Sequence, residues 1–226
     1  MAVIGLVSPG QMGSGIAMCA QKLGHEIIWA SDGRSDRTLQ RANQYGFRDV
    51  GVFQYLAQEA DHILCCGAGH GRTKHWAVET IEDIAFEGFR GIYCDTNTKH
   101  DGLRDEVKGF ADVSGIDYVD GAIFGNPPVH SEVDCRGYLN GERAEEFAKL
   151  FNDPEGPFNW VPIDGDPQML KLAFSAYLSQ AYAGVVLANR FARAHGVEEH
   201  LFYELKNGYP LDLSMDGDRM GLFAGW

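Results

Sequence analysis

The stretch Val3-Ile4-Gly5-Leu6-Val7-Ser8-Pro9-Gly10-Gln11-Met12-Gly13-Ser14-Gly15 decides the fold. Its apolar, β-branched opening reads as a buried strand, the Ser8-Pro9-Gly10 cluster as a tight turn, and Gln11–Leu23 as a helix. Strand, turn and helix N-terminus in that order make a cradle for a diphosphate, because the unpaired N–H groups at a helix start point at the anion. Gly10 lets the backbone approach the pyrophosphate and Gly13 lets helix and strand pack closely. Ser8, Pro9, Gln11 and Met12 complete the turn, with Ser8 standing where the first glycine of G-x-G-x-x-G is usual.

Outward from that turn, strand and helix patterns alternate. Glu26–Ala30, His62–Cys66, Gly91–Cys94 and Tyr118–Ile123 read as strands; Asp36–Tyr45, Arg72–Ile84 and Asp101–Ala111 read as helices. Further strands near Gly137–Asn140 and Asn159–Ile163, with Glu142–Phe151 between them, extend the sheet. Alternation of this kind predicts an α/β fold, a Rossmann-type, mostly parallel sheet with right-handed crossovers over residues 1–164. The pattern changes at Asp164-Gly165-Asp166-Pro167. Asp166 suits an N-cap and Pro167 the first helical position, and only Gly184 interrupts the helix pattern before Gly196. One helix over 167–194 follows, roughly 42 Å long at ~1.5 Å per residue. Its apolar residues, from Leu170 to Phe191, cover nearly every face, so it must be buried. The residues after it, a helix over Glu198–Lys206 and a glycine-punctuated tail, are too few to cover it. A small all-α region, 165–226, built on this helix therefore predicts a homodimer.

The segment after the second strand bears on which dinucleotide the cradle would hold. An acidic side chain at the strand end chelates the ribose hydroxyls of NAD; arginine with hydroxyl neighbours grips the 2′-phosphate of NADP. Ser31-Asp32-Gly33-Arg34-Ser35-Asp36-Arg37 carries both types. Ser31, Arg34 and Ser35 favour NADP over NAD. Gly67, after the strand at His62–Cys66, is placed against the same cofactor.

Composition narrows the partners. With 19 Lys and Arg against 32 Asp and Glu, the net charge of −13 argues against nucleic acid and anionic membranes as partners. The expected partner is a small molecule. Lys171, Ser175, Ser179 and Gln180 interrupt the apolar helix, which reads as a core helix rather than a membrane span. Five cysteines without a C-x-x-C pair imply a reducing compartment, and the opening apolar stretch is too short for a signal peptide, so the cytoplasm is expected. Cys65 and Cys66, with His70 and His75 nearby, could be imagined as metal ligands, but they fall in a strand-like run and no metal is expected.

Val3–Gly15 resembles the N-terminal fingerprint of the β-hydroxyacid dehydrogenase and 6-phosphogluconate dehydrogenase superfamily. Asp95-Thr96-Asn97-Thr98 resembles its D-x-S-T segment, Asp120-Gly121-Ala122-Ile123-Phe124-Gly125-Asn126 its D-A-P-V-S-G-G substrate loop, and Gly165 through Lys171 to Ser175 its G-x₅-K-x₃-N segment. The closest branch is a poorly characterised one with a Gly-Arg-Ser turn, which implies NADP, and a C-terminal domain of unknown function. The resemblance implies a dehydrogenase or reductase in which Lys171 is the acid/base, Asn97 contacts substrate or cofactor, and Phe124, Gly125, Asn126 and Ser175 line the substrate pocket. Phe124 replaces the loop serine and Ser175 the asparagine of the pattern, and the C-terminal region is shorter than the family's helical domain. Pro127, Pro128 and His130 are expected to reshape the pocket.

The residues themselves support a role for Lys171. Near the start of a greasy helix, desolvation lowers an amine's pKa toward working pH. Ser175, Ser179 and Tyr182 continue a polar stripe from it. Gly125 and Asn126 are expected to offer donors to an acidic substrate. The leading expectation is an NADP-dependent oxidoreductase acting on a small hydroxyacid or related carbonyl. The alternatives are an imine reductase and a non-catalytic NADP-binding sensor or assembly protein.

Overall fold

A computed structural model describes residues 1–67, 76–99, 101–128 and 135–207. In chain order the elements are β1 (Val3–Val7), α1 (Gln11–Lys22), β2 (Glu26–Trp29), α2 (Asp36–Tyr45), β3 (Arg48–Asp49), α3 (Phe53–Glu59), β4 (His62–Cys65), α4 (Trp76–Phe86), β5 (Ile92–Asp95), α5 (Asp101–Ser114), β6 (Asp117–Phe124), β7 (Cys135–Asn140), α6 (Ala144–Lys149), β8 (Phe158–Pro162), α7 (Pro167–Ala194) and α8 (Glu198–Asn207). The chain divides into two compact units, Met1–Ala173 and the residues from Phe174 onward, with α7 running through the boundary.

The first unit is a single sheet in the order β3-β2-β1-β4-β5-β6-β7-β8. All pairings are parallel except β6 with β7. The chain moves outward from β1 to β3 on one side and then from β4 on the other, so a switch point falls between β1 and β4. In open α/β sheets ligands bind at such a point, outside the carboxyl ends of the strands. Register aligns those ends: Val7 pairs with Cys65, Cys65 with Asp95, and Asp95 with Asp120. Two buried clusters cover the faces. Ile16, Ala20 and Ala42 of α1 and α2 pack with Ile4, Leu6 and Trp29, while Leu56, Ile81 and Val107 of α3, α4 and α5 pack with Val7, Ile28 and Ile63.

Every expected strand and helix is present within a few residues of its expected ends; residues 72–75 of the helix expected over 72–84 lie outside the described residues. The sequence reading passed over β3 and α3. Two residues of strand and seven of helix are too short to display a period of their own.

The far edge explains one glycine. Trp160 of β8 is 2% exposed and lies flat across β7 at Gly137, where a Cβ would stand 2.0 Å from the indole ring. Asn152 brackets the backbone of the same residue, accepting from Trp160 N at 2.7 Å and donating to its carbonyl at 2.8 Å. Those bonds occupy backbone groups that an edge strand otherwise leaves free to pair with another chain.

Taken alone, the helical unit shows the predicted long helix but little burial. Tyr182, Leu187 and Phe191 of α7 are each about 70% exposed, and Phe202 and Tyr203 of α8 are exposed too. By length and composition α7 could also cross a membrane, its most apolar window having a mean hydropathy of 1.2.

Candidate active site

The turn after β1 has the geometry its residues imply, with one substitution solved locally. Ser8 takes the left-handed conformation, φ 64°, that a glycine usually fills. Serine tolerates it here because its hydroxyl is held from outside: Arg34 donates to Ser8 Oγ at 2.7 Å. A second guanidinium joins it, Arg41 Nη1 donating to the Pro9 carbonyl at 3.0 Å. Gly13 abuts Cys66 and Leu6, where a Cβ would come within 3.3 Å of both; at Gly10 a Cβ would meet only the Ser8 carbonyl, at 3.9 Å. Gly13 thus serves helix–strand packing, and Gly10 leaves an open approach to the helix start. Gln11 and Met12 begin α1, and Met12 packs against the core.

The segment after β2 stands beside this turn. Ser35 caps α2, accepting from Thr38 N, and its hydroxyl lies 3.2 Å from Thr38 Oγ1. Ser31 N donates to Asp49 Oδ1 at 3.2 Å, tying the end of β2 to β3. Arg34 and Arg41 therefore both reach Ser8-Pro9, with Ser35 and Thr38 on the segment between them. Among the described residues Arg41 makes no ion pair, in a chain with 32 carboxylate residues.

At the ends of β4 and β5, Asn97 is a brace. Its Oδ1 accepts from Gly67 N at 3.1 Å, and its Nδ2 donates to Asp95 Oδ1 at 2.7 Å and reaches Cys65 Sγ at 3.3 Å. Every polar atom of that amide is engaged by the protein. Gly67 itself is closely covered, since a Cβ there would lie 2.9 Å from the Trp76 ring.

Beneath Asn97 lies a buried ionic knot that the sequence did not announce. Lys99, its side chain 1% exposed, contacts Asp95 Oδ2 at 3.0 Å, Asp120 Oδ1 at 3.5 Å and the Asn97 carbonyl at 2.9 Å. Burial raises the Asp120 carboxyl above its ordinary range, against the lowering pull of Lys99 and of Gln168. The only local hint was the four-residue spacing of Asp95 and Lys99; the partners Asp120 and Gln168 arrive from elsewhere in the chain.

Lys171 lies on α7, one helical turn beyond Gln168, and its amine is lowered from the ordinary lysine value by burial. The Cys66 thiol is in turn pushed up by burial, so it stays protonated at neutral pH. Cys66, Gly67, Asn97 and the Ser8–Gly13 turn thus meet at the carboxyl ends of β1, β4 and β5.

Other expected site residues stand differently. Phe124 packs edge-on against Tyr138 with ring centroids 5.2 Å apart. Gly125 turns with φ 97°, and Gly125 and Asn126 are exposed. Pro128 is buried against Gly15 of α1, where a Cβ would lie 2.9 Å from its ring. Ser175 belongs to the second unit, where its carbonyl accepts from Ser179 Oγ at 2.8 Å. His70, His75 and His130 lie outside the described residues, as does the tail from residue 208. Among the described residues no group of His, Cys, Asp and Glu could hold a metal ion.

No family model and no curated protein matches the chain. Solved structures do. A conserved protein of unknown function, described as structurally similar to 3-hydroxyacid dehydrogenases, is 21% identical with a TM-score of 0.68, covering 90% of this chain and 75% of that one. The imine reductase from Myxococcus stipitatus in complex with NADP+ is 17% identical with a TM-score of 0.70, covering 90% and 70%. The 3-hydroxyisobutyrate dehydrogenase from Mycobacterium tuberculosis, solved with L-serine, is 15% identical with a TM-score of 0.74, covering 95% and 74%. The chain shares the fold of these dehydrogenases and reductases.

Proposed function

We propose that this protein is an NADP-dependent oxidoreductase that moves a hydride between the nicotinamide and a small hydroxyacid or related carbonyl compound, with Lys171 as general acid/base. The observation that carries the reading is the half-buried Lys171 on α7, one helical turn beyond Gln168, whose amide is bonded to the Asn97 and Gly121 carbonyls at the ends of β5 and β6. The open backbone at Gly10 and the start of α1 fit a diphosphate, while Arg34, Ser35 and Arg41 fit a 2′-phosphate. Ser31 and Asp32 at the strand end complete the adenosine side. Bound there, the dinucleotide supplies or accepts the hydride.

The protein's own work is proton transfer and placement. In the oxidising direction the neutral amine of Lys171 takes the hydroxyl proton as the carbinol C–H bond gives up its hydride; in the reducing direction the ammonium returns it. Burial lowers the Lys171 amine below the ordinary lysine value, which favours its neutral, proton-accepting form. Asn97 holds the Gly67 turn in place, and the exposed Gly125-Asn126 turn offers donors to an acidic substrate. Ser175, one helical turn beyond Lys171, completes the polar stripe. A second reading, reduction of a C=N bond with the Lys171 proton delivered to nitrogen, is supported by the likeness to an imine reductase.

Exposed apolar side chains on α7 and α8 support a homodimer through the 167–194 helix. They exceed what a monomer usually leaves to water. Lys171, Arg190 and Arg193 on α7 speak for a protein rather than a lipid neighbour, and five free cysteines for the reducing cytoplasm.

A panel of hydroxyacids, carbonyls and imines followed by NADPH absorbance, with Lys171→Ala alongside, tests the reading. Activity lost by about a hundredfold or more in the variant supports it. Full activity in Lys171→Ala removes Lys171 from the mechanism, and a wild type that binds NADPH but turns over nothing favours the sensor. A monomer in sedimentation at micromolar concentration defeats the dimer.

A further inference from the structure

We propose that Gln168 is the positioning residue for Lys171: its buried amide seats the first turn of α7 over the ends of β5 and β6, and with it Lys171, one helical turn on. The inference rests on the reading of Lys171 as acid/base and names what aims it.

The contacts come from one side chain. Gln168, 4% exposed, directs Nε2 at the Gly121 carbonyl (2.8 Å), the Asn97 carbonyl (3.2 Å) and Asp120 Oδ1 (3.3 Å). All three neighbours are acceptors, so chemistry settles which end of the amide faces them. Asn97 follows β5, and Asp120-Gly121 lie in β6. Lys99 anchors two of the same acceptors from behind, the Asn97 carbonyl and Asp120 Oδ1. The socket is therefore itself fixed.

The geometry of the step is additive. Three residues of helix rise about 4.5 Å and return to nearly the same face. Whatever holds Gln168 therefore also fixes where the Lys171 side chain leaves the helix. The start of the helix is held independently: Asp166 Oδ1 accepts from Gln168 N at 2.8 Å and Met169 N at 3.0 Å, and Arg104 grips the other carboxylate oxygen. Asp166 sets where α7 begins; Gln168 sets which way it is turned. The Gln168 Oε1 atom has no partner among the described residues, so the donor end of the amide carries the contact.

The test reads Lys171 directly and needs no substrate. Amine labelling with acetic anhydride across pH, followed by peptide mass spectrometry, compares Lys171 with Lys108 and Lys149 in the same molecule. In wild type Lys171 is expected to label with its midpoint below the ordinary lysine value. In Gln168→Leu, which keeps the length and loses the donor, we expect its labelling midpoint to move up, equivalent to about a threefold smaller neutral fraction at pH 8, as the amine regains solvent. Gln168→Asn, with its amide drawn back by one methylene, should give an intermediate profile and serves if the leucine variant does not fold. A folded variant whose Lys171 profile matches wild type overturns the inference. A profile that moves while the wild type is inactive across the whole panel supports the positioning role and removes only the redox reading; activity that needs Lys171 but ignores Gln168 does the reverse.

Discussion

Replacing Lys99 by methionine probes the most buried ion pairs among the described residues. The methylene stem is retained, but Asp95 (0% exposed) and Asp120 (6%) lose their shared ammonium. Removing one member of a buried ion pair leaves an uncompensated charge, at a cost of about 3–5 kcal/mol. For a chain of this size about 2–4 °C of Tm accompanies each kcal/mol, so a fall of about 6–20 °C is expected at pH 8. The sign of the pH dependence follows from Asp120. Burial already raises its carboxyl in the wild type, and Lys99 is the largest influence restraining that rise. Without Lys99 the folded-state value climbs further. A carboxyl raised on folding binds more protons in the native state, so stability falls as pH rises from its ordinary value toward the folded one. The variant should therefore recover part of its loss between pH 8 and pH 5, measured by circular dichroism or calorimetric melts. Adding Asp120→Asn should restore stability at pH 8, because the two sites share one interaction. A loss under about 2 °C at pH 8, or an equal loss at both pH values, would show that Lys99 does not neutralise a buried charge.

Two further outcomes are open to measurement. Gly137→Ala puts a methyl 2.0 Å from the Trp160 ring, which is 2% exposed and has nowhere to move; overpacking of this kind should cost about 1–3 kcal/mol in denaturant titration, and an unchanged midpoint would contradict the close approach. Arg41→Ala should weaken NADPH binding by about tenfold or more while sparing NADH, by fluorescence titration, since a charge-assisted contact to the 2′-phosphate is lost; equal weakening of both would assign Arg41 to the shape of the Ser8-Pro9 turn instead.

Residues 3–15 were legible because strand period, turn residues and helix start are local properties, and Gly13 has the close packing its place in the motif implies. Ser8 looked like a defect in that motif; the structure shows it in the conformation of the missing glycine, held by Arg34 from the segment after β2. Asn97 stood out as a ligand candidate, yet its amide is spent on Gly67, Asp95 and Cys65. Phe124, read as a pocket residue, rests on Tyr138.

The sequence by itself determined the alternation of elements, the diphosphate turn at the first strand and the long apolar helix, because each is written in spacings of a few residues. Only the tertiary structure decided that Lys99 is buried between Asp95 and Asp120, that Arg41 reaches the Pro9 carbonyl, and that Gln168 seats α7 on the sheet. Those contacts join residues 21 to 71 positions apart in the chain, apart from Asp95 with Lys99. Their strength comes from exclusion of water, a condition that exists only once the sheet has closed around them.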